Sequence, residues 1–266
     1  TFFIVMVPIF SLTEKSLANN KLIKTAKMLE IRGDVDGAIS IYEGILSKEP
    51  DHRQAIQNLK DIYLKNSMYE KGIYFMRLRM ANEPNDVKTY CELGEFYFLN
   101  EQKKDATLIW YAGLNKFKHN RSFYRVMLSI LVKHNLGDEL STIVKKGRES
   151  FGKSFLSYEL GTYFQSVDDY DSAMEEYISH LLNEKSYKGI IERKILLMSD
   201  EQDAIPIIEG KLFKASKLYP NQILNTLSEF YFKQQKYDLS FKTKKEWTNK
   251  GNKIFNEWLK FANDLR

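Results

Sequence analysis

The stretch 88–100, KTYCELGEFYFLN, continues as EQKK at 101–104 and DATLIWYAGLNKF at 105–117, and it decides the fold. In the first run, Leu93, Gly94 and Tyr97 lie three, four and seven residues after Tyr90. In the last run, Ile109, Trp110 and Gly113 lie at the same distances after Ala106. Each set is one stripe of an amphipathic helix, and a short polar segment separates the two. The stretch therefore predicts two antiparallel helices that touch along these stripes.

Two small residues predict where these helices cross. Only a hydrogen atom or a methyl group fits at the closest approach of two helices, and Gly94 and Ala106 supply these groups. Tyr97 and Trp110 would fill the wider space beside them. A bulkier residue at the crossing would overpack it, at a cost of about 1–3 kcal/mol.

The spacing recurs along the chain with a period of about 34 residues. Ala38, Ala106 and Ala173 lie 68 and 67 residues apart, and an aromatic residue follows each of them four positions later. Pro50 and Pro84 lie 34 residues apart. A fixed period of this length indicates a stacked helical repeat. Such arrays hold partners and present extended binding surfaces.

The repeated motif resembles that of the tetratricopeptide repeat family, in a bacterial-type protein. The family's order is aromatic, Leu-Gly, Tyr, Ala, aromatic, Pro. Besides the unit quoted above, which has Lys118 in place of the proline, the matches are Gly33, Ala38, Tyr42 and Pro50; Leu59, Tyr63 and Pro84, with Gly72 in place of alanine; and Leu160, Gly161, Phe164, Ala173 and Tyr177. The resemblance implies an all-α, right-handed superhelical solenoid of antiparallel helix pairs. It covers 19–254, with units near 19, 53, 87, 121, 154, 188 and 221, and a capping helix at 253–266.

In the resembling family, ligands lie along a concave groove formed by the first helix of each pair. On that alignment the groove residues are Gln57, Asp61, Lys65, Cys91, Glu95, Phe98, Arg125, Ser129, Tyr158 and Thr162. This polar and aromatic mixture suits a peptide or a helix of a protein partner. The family's clamp for a C-terminal carboxylate needs paired lysine and asparagine, which the positions of Gln57 and Asp61, and of Cys91 and Glu95, do not supply.

Charge is unevenly distributed along the 266 residues, which carry a net charge of +5. Residues 211–266 contain 12 Lys and Arg against 5 Asp and Glu, or +7, and residues 1–210 contain 28 against 30, or −2. A candidate basic patch consists of Lys242, Lys244, Lys245 and Lys250. These lysines would either solvate the terminal helices or dock an acidic protein, a lipid headgroup surface or nucleic acid.

The sequence contains no catalytic or metal-binding motif. Its four histidines are scattered, and Cys91 is the single cysteine, expected off the packed stripe. Phosphate-binding, dinucleotide-binding and nucleophile-elbow motifs are absent. The cluster Asp168-Asp169-Tyr170-Asp171 is expected to cap a helix, because acidic residues stabilise helix starts. We therefore expect neither an enzyme nor a cofactor nor a metal site.

The N-terminal run Phe2–Phe10, FFIVMVPIF, is too short to span a bilayer as a helix. It has the length of the apolar core of a secretory signal. Ser16 and Ala18 match the small residues at a cleavage site, so we expect 1–18 to be a signal peptide and the mature chain to begin at Asn19. The protein would then be periplasmic or secreted. The alternative is a hydrophobic helix packed on the first repeat of a cytoplasmic protein.

The sequence thus favours a non-enzymatic scaffold that binds a protein or peptide in its groove. One alternative is a helical repeat that binds nucleic acid or an anionic membrane surface through its basic C-terminal third. The residues at the groove positions vary without a repeated base-reading pair, which disfavours nucleic acid. Another alternative is an accessory domain of an exported enzyme assembly.

Overall fold

The computed structural model describes residues 9–184, 186–250 and 255–264. These residues form helices and no strand, which confirms the all-α prediction. The helices are α1 Ile9–Arg32, α2 Val35–Leu46, α3 Arg53–Lys65, α4 Tyr69–Asn82, α5 Val87–Leu99, α6 Lys103–Lys116, α7 Arg121–Lys133, α8 Gly137–Phe151, α9 Ser157–Ser166, α10 Tyr170–Asn183, α11 Lys188–Met198, α12 Ala204–Leu218, α13 Pro220–Lys233, α14 Tyr237–Asn249 and α15 Phe255–Asp264.

The helices fall into two compact units, residues 1–116 (unit 1) and 117–266 (unit 2). In unit 1, α1 pairs with α2, α3 with α4 and α5 with α6, and each pair packs on the next. In unit 2, α7 pairs with α8, α9 with α10 and α13 with α14. The helices α11 and α12 pack instead on α10 and α13, so the sixth pair is more open than the others.

A left-handed residue closes the turn within six of these pairs. In unit 1 the residues are Gly33, Ser67 and Glu101, 34 residues apart; in unit 2 they are Asn135, Asp168 and Gln235. At each turn the next backbone amide donates to the carbonyl oxygen five residues earlier, at 2.8–3.0 Å. This bond belongs to the Schellman motif, which satisfies the last carbonyl groups of a helix. The repeat is therefore present in the backbone conformation as well as in the sequence.

The predicted close crossings are present in both units. Ala106 is 1 % exposed, and a Cβ atom added to Gly94 would lie 2.1 Å from Nε1 of Trp110. In unit 2, a Cβ atom added to Gly161 would lie 2.5 Å from the ring of Tyr177. Both distances are shorter than any carbon contact, so only glycine fits beneath these rings.

The aromatic residue that follows the alanine also bonds back to the first helix of its pair. The Tyr42 hydroxyl donates to Glu30 at 2.6 Å, and the Tyr177 hydroxyl donates to Gln165 at 2.6 Å, each across twelve residues. Burial is the main cause that raises the pKa of Tyr177 to about 12. Each hydrogen bond therefore joins the two helices of its pair near the turn that connects them.

The acidic cluster between α9 and α10 caps a helix, as predicted. Asp169 accepts a hydrogen bond from the backbone amide of Ser172 at 3.1 Å. Asp168 holds the left-handed turn position, and Asp171 forms an ion pair with Lys211 of α12 at 2.8 Å. The cluster therefore ends one helix, begins the next and ties it to a third.

Both predicted chain ends are described in part. Residues 1–8 of the predicted signal, and residues 251–254, 265 and 266 near the predicted cap, lie outside the described residues. The predicted cleavage site lies within α1. In α15, Phe261 is buried, with its ring centroid 5.4 Å from that of Phe232 and 6.4 Å from that of Phe241. Leu259 of the same helix is 51 % exposed, so it does not share the buried position of Phe261.

Candidate functional site

The groove positions predicted on α3 lie at the surface of unit 1. Gln57, Asp61 and Lys65 are exposed, and they follow one another by one turn of helix. Nε2 of Gln57 donates to Oδ1 of Asp61 at 2.9 Å. This face of α3 is therefore accessible, with its amide and carboxylate already paired with each other.

An ion pair that was not predicted links this face to α5. Nζ of Lys60 lies 2.7 Å from Oε1 of Glu92, and the two side chains are only 11 % and 13 % exposed. Lys60 also donates to Oε1 of Gln57 at 3.3 Å. Burial is the largest influence on Glu92 and raises the pKa of its carboxyl group. The pair joins residues 32 positions apart in different hairpins, so the stripe pattern of a single hairpin does not reveal it.

Of the groove positions predicted on α5, Cys91 and Glu95 are buried and are wrong as partner-binding positions, whereas Phe98 stays a prediction. Cys91 is 0 % exposed and Glu95 is 5 % exposed. Their helix packs against both α4 and α6, which leaves little of its surface for a partner. Burial raises the pKa of the Cys91 thiol, which keeps it protonated. Phe98 is half-buried and its ring lies 6.3 Å from that of Trp110, so it belongs to the packing of this hairpin.

In unit 2, the structure brings Arg125 and Tyr158 together at the wall of one cavity of about 310 Å³. Helix α7, the segment 154–156 with the start of α9, the end of α10 and the turn before α11 form this cavity. Ser129 is exposed on α7 and Thr162 is half-buried on α9, and both lie outside the lining of the cavity. Two of the four positions predicted in unit 2 thus share a site.

Two stacked tyrosines form the aromatic wall of the cavity. The rings of Tyr158 and Tyr187 are stacked with centroids 5.8 Å apart, and Tyr187 remains 62 % exposed. Tyr187 has a φ of 62°. The buried ring of His180 bonds through Nε2 to the carbonyl oxygen of Ser186 at 2.8 Å, which holds this segment against α10. The sequence pattern missed Tyr187 because it lies in a turn rather than on a helical stripe.

Cationic side chains lie at or near the cavity. Nε of Arg125 donates to Glu159 at 2.7 Å, whereas the guanidinium of Arg121 lies 5.2 Å from the ring centroid of Phe155. Nζ of Lys194 lies 5.6 Å from the ring centroid of Tyr158. In the part of the chain that the structure describes, neither Arg121 nor Lys194 has a carboxylate partner. The cavity thus offers an accessible aromatic surface at Tyr187, with Arg121 in its lining and Lys194 beside Tyr158 as cations available to a ligand.

A second, larger cavity lies between α2 and α4 in unit 1 and was not predicted. Its volume is about 780 Å³, and Leu59 and Tyr63 of α3 contribute to its lining. On α4, Tyr74 and Leu78 line it and are 68 % and 47 % exposed. Large apolar residues one turn apart on an exposed helix face are the sequence signal that could have indicated this groove.

The four lysines of the candidate basic patch differ in exposure. Lys242, Lys245 and Lys250 are exposed, as predicted for a surface patch. Lys244 is 0 % exposed, and its place in that patch is wrong. Its Nζ donates to Asn225 at 2.7 Å and lies 3.2 Å from a carboxylate oxygen of Glu229, so this ammonium group belongs to the contact between α13 and α14.

Within the described ranges, no group of three or more potential ligand side chains could hold a metal ion. None of the helices described above has both the length and the apolar character needed to cross a membrane.

Comparison with known proteins finds distant relatives. No protein-family model matches the chain. It is 24 % identical to tetratricopeptide repeat protein 21B of Homo sapiens over 161 residues, which cover 60 % of this chain and 12 % of that protein. It is 23 % identical to the BBSome complex member BBS4 homolog of Drosophila melanogaster over 209 residues, covering 72 % of this chain and 43 % of the relative. The chain thus spans less than half the length of these curated relatives.

Two solved structures of tetratricopeptide repeat proteins are also similar. One, from Thermus thermophilus, has 16 % identity and a TM-score of 0.40, covering 63 % of this chain and 92 % of its own. Another, from Parabacteroides merdae, has 10 % identity and a TM-score of 0.38, covering 89 % of this chain and 94 % of its own. The paired helices, the left-handed turns that lie 34 residues apart in unit 1 and the similarity to protein 21B agree, and the chain has a tetratricopeptide-repeat-like fold.

Proposed function

We propose that this chain is a non-enzymatic scaffold that holds a segment of a protein partner against the cavity of unit 2. The observation that carries the proposal is the stack of half-buried Tyr158 on exposed Tyr187 in a cavity that Arg121 also lines, with Lys194 against the Tyr158 ring. Aromatic and arginine side chains are the groups most enriched at the energetic centres of protein interfaces. The relative named as a BBSome complex member is, by its name, part of a protein assembly, which agrees with such a role.

The chemistry of the cavity suits a short peptide segment better than a small metabolite. Its walls combine aromatic rings with hydroxyl groups and backbone carbonyl groups from a turn, and about 310 Å³ holds one or two side chains. An extended or helical segment could place an aromatic or aliphatic side chain on the Tyr187 ring. Its polar groups would then lie within reach of Arg121.

Site-specific photocrosslinking tests this proposal. A photoreactive phenylalanine analogue replaces Tyr187, and the protein is irradiated in cells of its native source. We expect an adduct of discrete mass that disappears when Tyr158→Ala and Arg121→Gln are added. The matched control carries the same analogue at Tyr111, which is 50 % exposed on α6. Equal adducts at both positions, or adducts that survive the two substitutions, would place the binding surface elsewhere.

We also propose that the protein is exported after cleavage following Ala18. Leu17 and Ala18 are exposed, whereas Asn19 is buried and donates through Nδ2 to Glu49 at 2.8 Å. A chain that begins at Asn19 would keep this contact between α1 and the turn that follows α2. Mass spectrometry of the protein from native cells is expected to show Asn19 as its first residue. A chain that retains Phe2–Phe10 would contradict export by this route.

A further inference from the structure

The C-terminal half of α12 carries an unusual outward face. Phe213, Leu218 and Tyr219 are 50 %, 68 % and 44 % exposed. The opposite face of the same helix is buried, with Ile208 and Leu212 completely enclosed. The buried face already packs α12 within unit 2. That packing therefore does not explain why Phe213, Leu218 and Tyr219 on the outward face are also large and apolar.

Two lysines share this outward face. Lys214 and Lys217 are exposed, and Nζ of Lys217 lies 4.6 Å from the ring centroid of Phe213. No carboxylate within the described residues pairs with either lysine. The one acidic residue of α12, Glu209, is paired with Lys236 at 2.6 Å. The face therefore combines large apolar side chains with positive charge and carries no acidic group.

The end of α14 lies beside this face. Nε1 of Trp247 donates to the carbonyl oxygen of Asn221 at 3.4 Å, and Asn221 follows closely after Tyr219 in the chain. Lys250, exposed at the end of α14, therefore lies at the same end of unit 2 as the face of α12. Glu246 is the acidic side chain of this last turn, so the local balance remains positive.

We propose that this end of unit 2, named here the α12 face (Phe213, Lys214, Lys217, Leu218 and Tyr219), docks on an anionic lipid surface. Interfacial helices bind in this way: their apolar side chains enter the boundary between headgroups and acyl chains while lysines contact anionic headgroups. Charge complementarity selects the partner, because both exposed lysines of the face are available to headgroup phosphates. A purely polyanionic ligand such as nucleic acid would leave Leu218 exposed to water.

This inference does not depend on the proposed protein-binding cavity, and a vesicle flotation assay on the whole chain tests it separately. The vesicles contain equal parts of phosphatidylcholine and phosphatidylglycerol, and vesicles of phosphatidylcholine alone serve as the reference. We expect flotation with the anionic vesicles only, and its loss as salt rises toward about 1 M, where the screening length is about 3 Å.

Two double variants separate the roles of charge and apolar contact. Lys214→Gln with Lys217→Gln should lower the partition coefficient by about 30-fold, given the usual contribution of two interfacial lysines. Phe213→Ser with Leu218→Ser should lower it by at least about tenfold, because two large side chains no longer insert. All four side chains are exposed, so the variants should fold, which circular dichroism checks.

The control is Lys71→Gln with Lys104→Gln, which removes the same charge from exposed positions of unit 1 and should leave partitioning unchanged. Equal loss in this control would mean that net charge alone drives binding. Loss in the lysine variant without loss in the Phe213 and Leu218 variant would indicate a soluble polyanion or an acidic protein as partner. Either result, or equal binding to uncharged vesicles, would overturn the proposal.

Discussion

Nε1 of Trp110 donates a hydrogen bond of 3.0 Å to the carbonyl oxygen of Cys91, and this bond holds the indole ring over Gly94. The ring is 5 % exposed and bridges α5 and α6 at their closest approach. The position of the indole is thus fixed by a polar contact as well as by packing. A small change beneath it cannot be absorbed by moving the ring without breaking that hydrogen bond.

The first prediction concerns Gly94. The Cβ atom of Gly94→Ala would lie 2.1 Å from Nε1 of Trp110, so we expect a loss of about 1–3 kcal/mol in the free energy of unfolding. Gly44→Ala is the control, because Gly44 lies in α2 with no atom within 4 Å of the added Cβ. It should gain up to about 1 kcal/mol, since alanine favours the helix. Urea melts of both variants measure the difference, and equal stabilities would contradict the tight crossing.

Ala106→Leu should also destabilise the protein by about 1–3 kcal/mol, because Ala106 is 1 % exposed and three further carbon atoms have no space. Ala112 lies on the same helix but is exposed. Ala112→Leu should therefore change the free energy of unfolding by no more than about 0.5 kcal/mol. Thermal melts of the two variants decide the point. A neutral Ala106→Leu would mean that α5 and α6 touch along a different stripe.

Lys244 and Lys245 are neighbours with opposite expected behaviour. Lys244→Gln removes a fully buried ammonium group from its contacts with Asn225 and Glu229, and we expect a loss of about 3 kcal/mol. This is the lower end of the range for a buried pair, because the Glu229 side chain is 25 % exposed. Lys245→Gln changes an exposed side chain and should cost less than about 0.5 kcal/mol. If denaturant melts show equal losses, the two lysines have the same surroundings and the contact between α13 and α14 is different.

The fourth prediction is a loss of stability at high pH. The pKa of Tyr177 is raised to about 12, mainly by burial, from a usual value of about 10. The folded state therefore holds this proton more tightly than the unfolded state. Its contribution is complete below about pH 10 and is lost as pH rises toward about 12, amounting to about 2 kcal/mol. Unfolding free energies of the wild type should fall over this interval more steeply than those of Tyr177→Phe. Parallel curves would contradict the buried hydroxyl.

The sequence predicted the contacts inside a hairpin well, for a physical reason. A small residue must face a large one where two helices cross. Spacing located Gly94 and Ala106 at the crossing of α5 and α6, where Ala106 is buried. It placed the Trp110 ring beside them, whereas the ring lies directly over Gly94, as the Tyr177 ring lies over Gly161. Contacts between hairpins follow no such rule. Cys91 looks like a surface position in its own helix, yet it is buried where α4 as well as α6 packs on α5. Lys244 is buried within its own hairpin by polar partners on α13, which an apolar stripe does not reveal.

The candidate site was predictable only in part. Arg125 and Tyr158 lie on first helices, where the family resemblance directed attention. Tyr187 and His180 complete the same cavity from a turn and from the end of a second helix. The left-handed backbone at Tyr187 that turns its ring toward Tyr158 is adopted by a residue type that gives no turn signal, so sequence spacing could not reveal it.

The left-handed turns have a consequence for how freely the chain can vary. Five of the six turn residues within the described pairs are not glycine, although the left-handed conformation costs an ordinary residue about 1–2 kcal/mol. Glycine would relieve this strain but would lose about 0.5–1 kcal/mol through the greater freedom of its unfolded chain. At Ser67, Glu101 and Gln235 the second effect offsets about half of the first. The net cost of a residue other than glycine at these corners is therefore small, and a repeat can lose its glycine signature while its chain reversal stays the same.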